Sequence, residues 1–170
     1  ISKFIDLLEG DRVGIIVFAG ESYVQCPLTL DYSAAKMYLN AVTTDWIPIQ
    51  GTAIADAINQ SVKAFKTEKD KNKILVIISD GEDHEGEAIG AAKIAAKNNT
   101  RIFAVGVGSE SGVPIPVRKN SGNVVYKKDP SGNLVMTRLN PRILEEIALE
   151  TQGTYFNAST DLDLTEIYKE

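Results

Sequence analysis

Few residue types in this chain could carry chemistry, and the strongest candidates are acidic. Asp80 directly follows the apolar run KILVIIS (73–79) and is itself followed by Gly81. A carboxylate this close to a buried run needs a partner or a cation, because an unpaired buried charge is costly. Further acids stand at Glu82, Asp83 and Glu85. Hard oxygen ligands suit Mg²⁺, Mn²⁺ or Ca²⁺. The alternative is that Asp80 caps the next helix or a loop.

Thr52 is the second candidate metal ligand. It follows Gly51 and lies in the segment GTAIADAI (51–58), where a helix is predicted to open. A hydroxyl can ligate a divalent cation directly or through water, but threonine at this place is also typical of an N-cap or a first helical turn. The neighbours expected around the two candidate ligands are Gly51, Ser79, Gly81, Glu82 and Trp46.

No set of residues suited to catalysis stands out. The chain has one cysteine, Cys26, and one histidine, His84. Cys26 lies in an alternating apolar run, which favours a half-buried strand residue over a nucleophile. The glycine-rich segment at 106–112 resembles a nucleotide-binding loop only loosely, because prolines follow where a phosphate-binding helix would begin. We therefore predict no enzymatic activity. The alternatives are a metal-dependent hydrolase or phosphatase that uses Asp80 with neighbouring acids, and a scaffold that binds no metal.

Composition narrows the class of protein. A chain of 170 residues fits a single domain spanning 1–170, and 44% hydrophobic residues is ordinary for a globular protein. The net charge of −5 argues against a nucleic-acid partner, whose binding surface would be basic. The longest purely aliphatic run, ILVII (74–78), is far shorter than the roughly 18–20 apolar residues that span a membrane.

Strand and helix patterns alternate along the chain. Apolar β-rich runs predict strands at 12–19, 73–79, 101–108 and 153–159, and helical spacing predicts helices near 1–8, 32–42, 51–65, 87–98 and from 141, with a short one from 161. The segment 22–28 reads as an antiparallel hairpin partner at a sheet edge, where Pro27 is tolerated. Turn sequences predict a small β-hairpin inserted near 115–137. The pattern indicates a doubly wound α/β fold with a mostly parallel sheet and one antiparallel edge strand.

Several segments together resemble the von Willebrand factor A (VWA) domain family. They are GDRVGIIVFAG (10–20), GTAIADAI (51–58), ILVIISDGEDHEG (74–86), TRIFAVGVGS (100–109) and GTYFNAS (153–159). The resemblance implies a Rossmann-like fold and a metal-ion-dependent adhesion site that binds Mg²⁺ or Mn²⁺, with Ca²⁺ as a further candidate. Its threonine and aspartate ligands carry over to Thr52 and Asp80. Such a site leaves one coordination position open for the carboxylate of a partner protein.

The family's remaining ligands come from a DxSxS motif after the first strand, and that motif has no counterpart here. Its place lies ahead of Ile1, so we expect the first central strand to be missing and the domain to be truncated at its N-terminus. Two ligands seldom suffice for a hard cation, so metal binding by this chain is expected to be weak or absent. The gap could be closed by the remaining strands, or filled by another chain through strand exchange or dimerisation.

A closer resemblance is to bacterial aerotolerance proteins of the BatA/BatB type. It rests on 10–31, on the loop through PIPV (114–117) and on DPSGN (129–133). Those proteins are membrane-anchored and linked to stress tolerance. The resemblance implies a protein-interaction module excised from a larger protein of the cell membrane, with the side of the membrane left open and the periplasm as one alternative.

Overall fold

The computed structural model describes residues 1–43, 51–67, 72–82, 86–118 and 124–158. Its α-helices are Ser2–Ile5 (α1), Tyr32–Ala41 (α2), Ile54–Ala64 (α3), Ala88–Lys97 (α4) and Pro141–Glu150 (α5), with a 3-10 helix at Phe65–Thr67. Its strands are Val13–Phe18 (β1), Ser22–Thr29 (β2), Lys73–Ser79 (β3), Thr100–Gly106 (β4), Val113–Pro114 (β5), Pro116–Arg118 (β6), Val124–Tyr126 (β7), Met136–Thr137 (β8) and Tyr155–Asn157 (β9). Within this part of the chain, no helix has the length and apolar character needed to cross a bilayer.

Three strands form a parallel sheet with the order β3-β4-β9. β3 pairs with β4 along its whole length, from Lys73 with Thr100 to Ser79 with Gly106. Ile102, Phe103 and Ala104 of β4 are fully buried, as the apolar sequence of this strand predicts. The predicted α/β fold with a mostly parallel sheet is confirmed.

The second sheet is the antiparallel pair of β1 and β2. Its register runs from Val13 with Thr29 to Phe18 with Ser22, which confirms the predicted hairpin. Asp56 of α3 fastens the start of β2, because its Oδ2 accepts hydrogen bonds from the Ser22 backbone N–H at 3.0 Å and from the Ser22 hydroxyl at 2.5 Å. The hairpin is therefore held by the pairing of its two strands and by hydrogen bonds to α3.

A slot separates the two sheets. Among the described residues no strand pairing joins β1 to β3, and every residue of both strands lines a shared open cavity of about 1810 Å³, which we call the slot. The apolar run of β3 is not buried along its whole length, because Ile74 is 41% exposed. β1 and β3 do not close on each other, so each strand presents one backbone edge without a strand partner in the described structure. This geometry agrees with the expectation of a missing central strand.

The main apolar core lies between the sheet and three helices. Ile54 and Ile58 of α3, Ala92 of α4, and Leu144 and Ile147 of α5 are fully buried in one cluster. These residues fall on the apolar stripes that the sequence predicts for the three helices. On the other side of the sheet a smaller cluster is built on Phe103 and Val105 of β4, with Phe4 packed against it.

The inserted segment is larger than the predicted small hairpin. β5 pairs with β8 and β6 pairs with β7, both antiparallel, so that residues 113–118 and 124–137 form a two-tiered ribbon that we call the arm. A bridge between Lys128 and Leu134 closes the turn at its second end. The prediction of a single hairpin is therefore correct in location but too simple in topology.

The prediction for the first helix needs correction. The helical stripe expected to continue to Leu8 ends earlier, because α1 stops at Ile5 and passes through turns before Gly10. Asn140 occupies the N-cap position of α5 but makes no side-chain capping hydrogen bond. The helix predicted from 161 lies outside the described residues.

Candidate metal centre

Asp80 lies where β3 ends, in the loop that carries the chain out of the sheet. Both of its carboxylate oxygens are hydrogen-bonded: Oδ1 accepts from the Glu82 backbone N–H at 3.3 Å, and Oδ2 accepts from the Thr137 hydroxyl at 3.0 Å. Asp80 therefore caps its own loop, as one of the two alternatives to a metal ligand predicted. It does not cap α4, whose N-cap residue is Glu87 and which has no side-chain capping bond.

Thr52 lies in the loop that leads into α3. The helix begins only at Ile54, and its N-cap position is taken by Ala53, so Thr52 is not the capping residue. The Ala53 backbone N–H donates to the Ala19 carbonyl at 2.5 Å, which fixes this loop against the end of β1. The Thr52 side chain is half-buried and makes no hydrogen bond to another described residue. No described residue therefore occupies the Thr52 hydroxyl, which is free to bind a ligand.

Both of the loops that carry the candidate ligands contribute to the lining of the slot. Thr52 and Asp80 both line it, together with Gly51 and Ser79, whereas Glu82 does not. The donor set consists of a hydroxyl and a carboxylate, whose oxygens fit a hard cation such as Mg²⁺ or Mn²⁺. These two residues fill at most part of a coordination shell. No group of three or more His, Cys, Asp or Glu residues within the described ranges could hold a metal ion.

The other predicted neighbours have separate positions. Ser79 accepts a hydrogen bond from the Gly81 backbone N–H at 3.1 Å through its hydroxyl, which shapes the turn after β3. The Glu82 carboxylate turns away from the slot and accepts a bond from the Arg138 backbone N–H at 2.9 Å. Trp46, Asp83 and Glu85 lie outside the described residues.

Cys26 lies on β2 with a side chain that is 3% exposed. Burial raises the pKa of its thiol, and the negative charge of Asp31 raises it further. A buried thiol held in its neutral form is a poor nucleophile. Cys26 is a strand residue as predicted, but it is buried where the sequence indicated a half-buried side chain.

Sequence reasoning missed a set of contacts to the loop after β3. Residues 137–140, which we call the strap, run from the end of the arm into α5. The Asn140 backbone N–H donates to the Asp80 carbonyl at 2.7 Å, in addition to the bonds from Thr137 and Arg138. The only sequence signal was the inserted hairpin itself, which does not indicate what its return strand touches.

The described geometry can be compared with known proteins. The von Willebrand factor type A domain family matches residues 1–170. BatB from Bacteroides thetaiotaomicron, a solved structure, is 39% identical with a TM-score of 0.89, and the match covers 99% of this chain and 83% of that one. An aerotolerance-related membrane protein from Bacteroides fragilis is 38% identical, with the same TM-score of 0.89 and the same coverage of 99% and 83%.

Two further likenesses are more distant. A protein of Borreliella burgdorferi is 23% identical over 166 residues, and the match covers 95% of this chain but 46% of that protein, so the chain spans about half the length of this relative. Proximal thread matrix protein 1 from the mussel byssus is 17% identical with a TM-score of 0.68, and the match covers 99% of this chain and 37% of that one. That protein has been solved with a zinc-occupied MIDAS motif, the metal-ion-dependent adhesion site.

Proposed function

This chain belongs to the von Willebrand factor type A domain family, and on that premise we propose that it binds another protein through a divalent cation held in part by Thr52 and Asp80. Domains of this family mediate interactions between proteins, and they bind divalent metals. One observation carries the proposal. A hydroxyl and a carboxylate from two separate loops line the same slot at the ends of β1 and β3. In open α/β sheets, ligands bind at the carboxyl ends of strands.

The remaining lone pairs of Asp80 support the assignment. An ionised carboxylate offers about four acceptor sites, and the two described hydrogen bonds occupy only two of them. Thr52 contributes a hydroxyl without a bond to any described residue. Mg²⁺ or Mn²⁺ would supply a positive centre that attracts a carboxylate. The partner that we propose is accordingly a protein that presents an Asp or Glu side chain to the slot end of the domain.

The polypeptide that carries this domain is proposed to be a membrane-anchored protein related to aerotolerance. The support is the likeness at 38% identity to the Bacteroides fragilis protein, which is named as an aerotolerance-related membrane protein. For the hydrolase alternative, the described acids supply no support. Glu82 is engaged with Arg138 and does not line the slot.

The cation assignment is tested by calorimetric titration of the full polypeptide with Mn²⁺. Asp80→Asn keeps the shape of the side chain while removing its charge, and we expect it to abolish binding. Glu145→Gln, at an exposed acid of α5, is the matched control and should leave binding unchanged. The isolated 170-residue chain should bind weakly or not at all, because two protein ligands seldom hold a hard cation. Equal affinity of the Asp80→Asn variant and the unmodified protein would sink the assignment.

A further inference from the structure

We propose that Thr137 is a positioning residue that orients the Asp80 carboxylate for the cation, and that the strap thereby couples the arm to the metal loop. The proposal rests on the proposed function, because it assigns a role toward the same cation. It adds a residue 57 positions further along the chain, in an insert outside the loops that supply the proposed ligands. The argument starts from how the carboxylate of Asp80 is held.

Two donors define the plane of that carboxylate. The Glu82 backbone N–H holds Oδ1 and the Thr137 hydroxyl holds Oδ2. The bond to Glu82 is the longer of the two, at 3.3 Å against 3.0 Å, and it comes from within the loop itself. Thr137 supplies the only described side-chain donor to this carboxylate. Without it, Oδ2 would have no partner in the described structure, and the side chain could rotate.

The backbone of the strap is anchored on both sides of the loop. Asn140 and Arg138 donate their backbone N–H groups to the Asp80 carbonyl and to the Glu82 carboxylate. Leu139, which is 3% exposed, packs into the main core and donates its backbone N–H to the Ser109 carbonyl at 3.0 Å. Thr137 therefore reaches Asp80 from a fixed support and not from a loose surface strand.

A hydrogen bond of this kind matters for a metal ligand. Partners that orient a ligating carboxylate typically change metal affinity 10–100-fold when they are removed. The Thr137 hydroxyl donates a hydrogen bond to one lone pair of Oδ2 and leaves another lone pair free for a cation. The Asp80 carboxylate can thus bind a cation and accept the Thr137 hydrogen bond at the same time. Each of the two interactions favours the carboxylate orientation that the other requires.

Coupling of this kind is reciprocal. If the docked strap favours cation binding at Asp80, then a bound cation must favour the docked strap by the same factor. Thr137 also belongs to β8, which pairs with β5 at the base of the arm, with Thr137 opposite Val113. Occupancy of the metal site is thereby transmitted to the base of the arm, which sets how firmly the arm is held against the domain.

The test uses the full polypeptide and Mn²⁺ as the probe, with binding followed by electron paramagnetic resonance. Thr137→Val removes the hydroxyl at nearly constant volume and should weaken the Mn²⁺ affinity about 10–100-fold. Thr137→Ser keeps a hydroxyl and should restore affinity close to that of the unmodified protein. Asp129→Asn changes the turn of the same arm, where Asp129 binds Asn133, and serves as the control for general disturbance of the arm.

Hydrogen exchange provides a readout that a purely structural role would not move. In the unmodified protein, Mn²⁺ should slow exchange at the backbone amides of Arg138 and Asn140. In Thr137→Val the metal should no longer slow it, even at Mn²⁺ concentrations that saturate the weaker site. Unchanged Mn²⁺ affinity in Thr137→Val, with binding still lost in Asp80→Asn, would overturn this proposal alone. Absence of Mn²⁺ binding in the unmodified polypeptide would overturn the proposed function and this proposal together.

Discussion

Gly81 allows the strap to approach the loop after β3. Its backbone has φ +71°, a conformation that other L-residues rarely adopt, and a Cβ atom placed there would collide with the carbonyl oxygen of Asn140. That contact lies beside the bond from the Asn140 N–H to the Asp80 carbonyl. Glycine at this position therefore makes room for the backbone that supports Thr137.

Gly81→Ala should lower the free energy of unfolding by at least about 1–2 kcal/mol, because the left-handed conformation alone costs that much in a residue with a Cβ atom. The collision with Asn140 adds to the cost. Urea denaturation measures the change. Gly86→Ala is the matched control: its φ is also positive, at +69°, but a Cβ there meets no atom of the described residues within 4 Å. An equal loss of unfolding free energy in the two variants would show that the collision with the strap adds nothing to the cost of Gly81→Ala.

Tyr155 carries a buried hydroxyl with no hydrogen-bond partner among the described residues. Burial raises the pKa of this phenol above its ordinary value of 10.0, and the negative charges of Glu145 and Glu110 raise it further. The folded protein therefore keeps this proton at a pH where the unfolded chain releases it. The corresponding stability is complete below the ordinary pKa and is lost as the pH rises through the folded pKa.

Tyr155→Phe should accordingly make the free energy of unfolding less sensitive to strongly alkaline pH. At neutral pH the variant should be as stable as the unmodified protein, or more stable by up to about 1 kcal/mol, since an unsatisfied buried hydroxyl is removed. Denaturant titrations at neutral and alkaline pH give both quantities. Tyr126→Phe, at a side chain that is 51% exposed, is the control and should leave the alkaline slope unchanged. A marked loss of stability at neutral pH would contradict the absence of a partner for the Tyr155 hydroxyl.

Among the elements, β1 and β3 are the two strands that line the slot along their full length. The edge of each strand that faces the slot has no strand partner in the described structure. Open strand edges can pair with a strand of another chain. Strand exchange or dimerisation stays a prediction, and the slot is the place where it would occur. An extended segment that fits the slot must reach along the seven residues of β3.

Fusing such a segment to Ile1 should stabilise the domain. A designed strand of seven alternating valine and isoleucine residues, joined through a short turn, is expected to raise the free energy of unfolding by at least about 2 kcal/mol, because unpaired backbone groups each cost on the order of 1–3 kcal/mol when buried. Thermal and urea denaturation measure the gain, and light scattering reports any loss of self-association. The control is a Gly/Ser segment of equal length. If both fusions behave alike, the slot does not accept a strand.

For the whole molecule, the sequence predicts the layers well because long apolar runs and helical stripes decide them. β3 begins and ends where the pattern indicates, and α3, α4 and α5 bury the predicted faces. These features depend on periodicity, which is a local property of the chain.

The arm and the strap were harder to predict for a physical reason. Their strands are two or three residues long, too short for an alternating pattern to fix which one pairs with which. The bonds from the strap to Asp80 and Glu82 are made mostly by backbone N–H groups, which every residue except proline possesses. Thr52 and Asp80 could be selected by residue type and by resemblance, whereas Thr137 could be found only from the folded structure.

The distance along the chain between Asp80 and Thr137 affects how the protein is made. At about 5–20 residues per second, a ribosome needs several seconds to add the 57 residues that separate them. During that interval the nascent chain already contains β3 and Asp80. Thr137, whose hydroxyl would orient the Asp80 carboxylate, has not yet been added. A nascent chain interrupted before the strap would hold Asp80 without this support. On the proposed role of Thr137, firm cation binding is expected only of chains whose synthesis has passed Asn140.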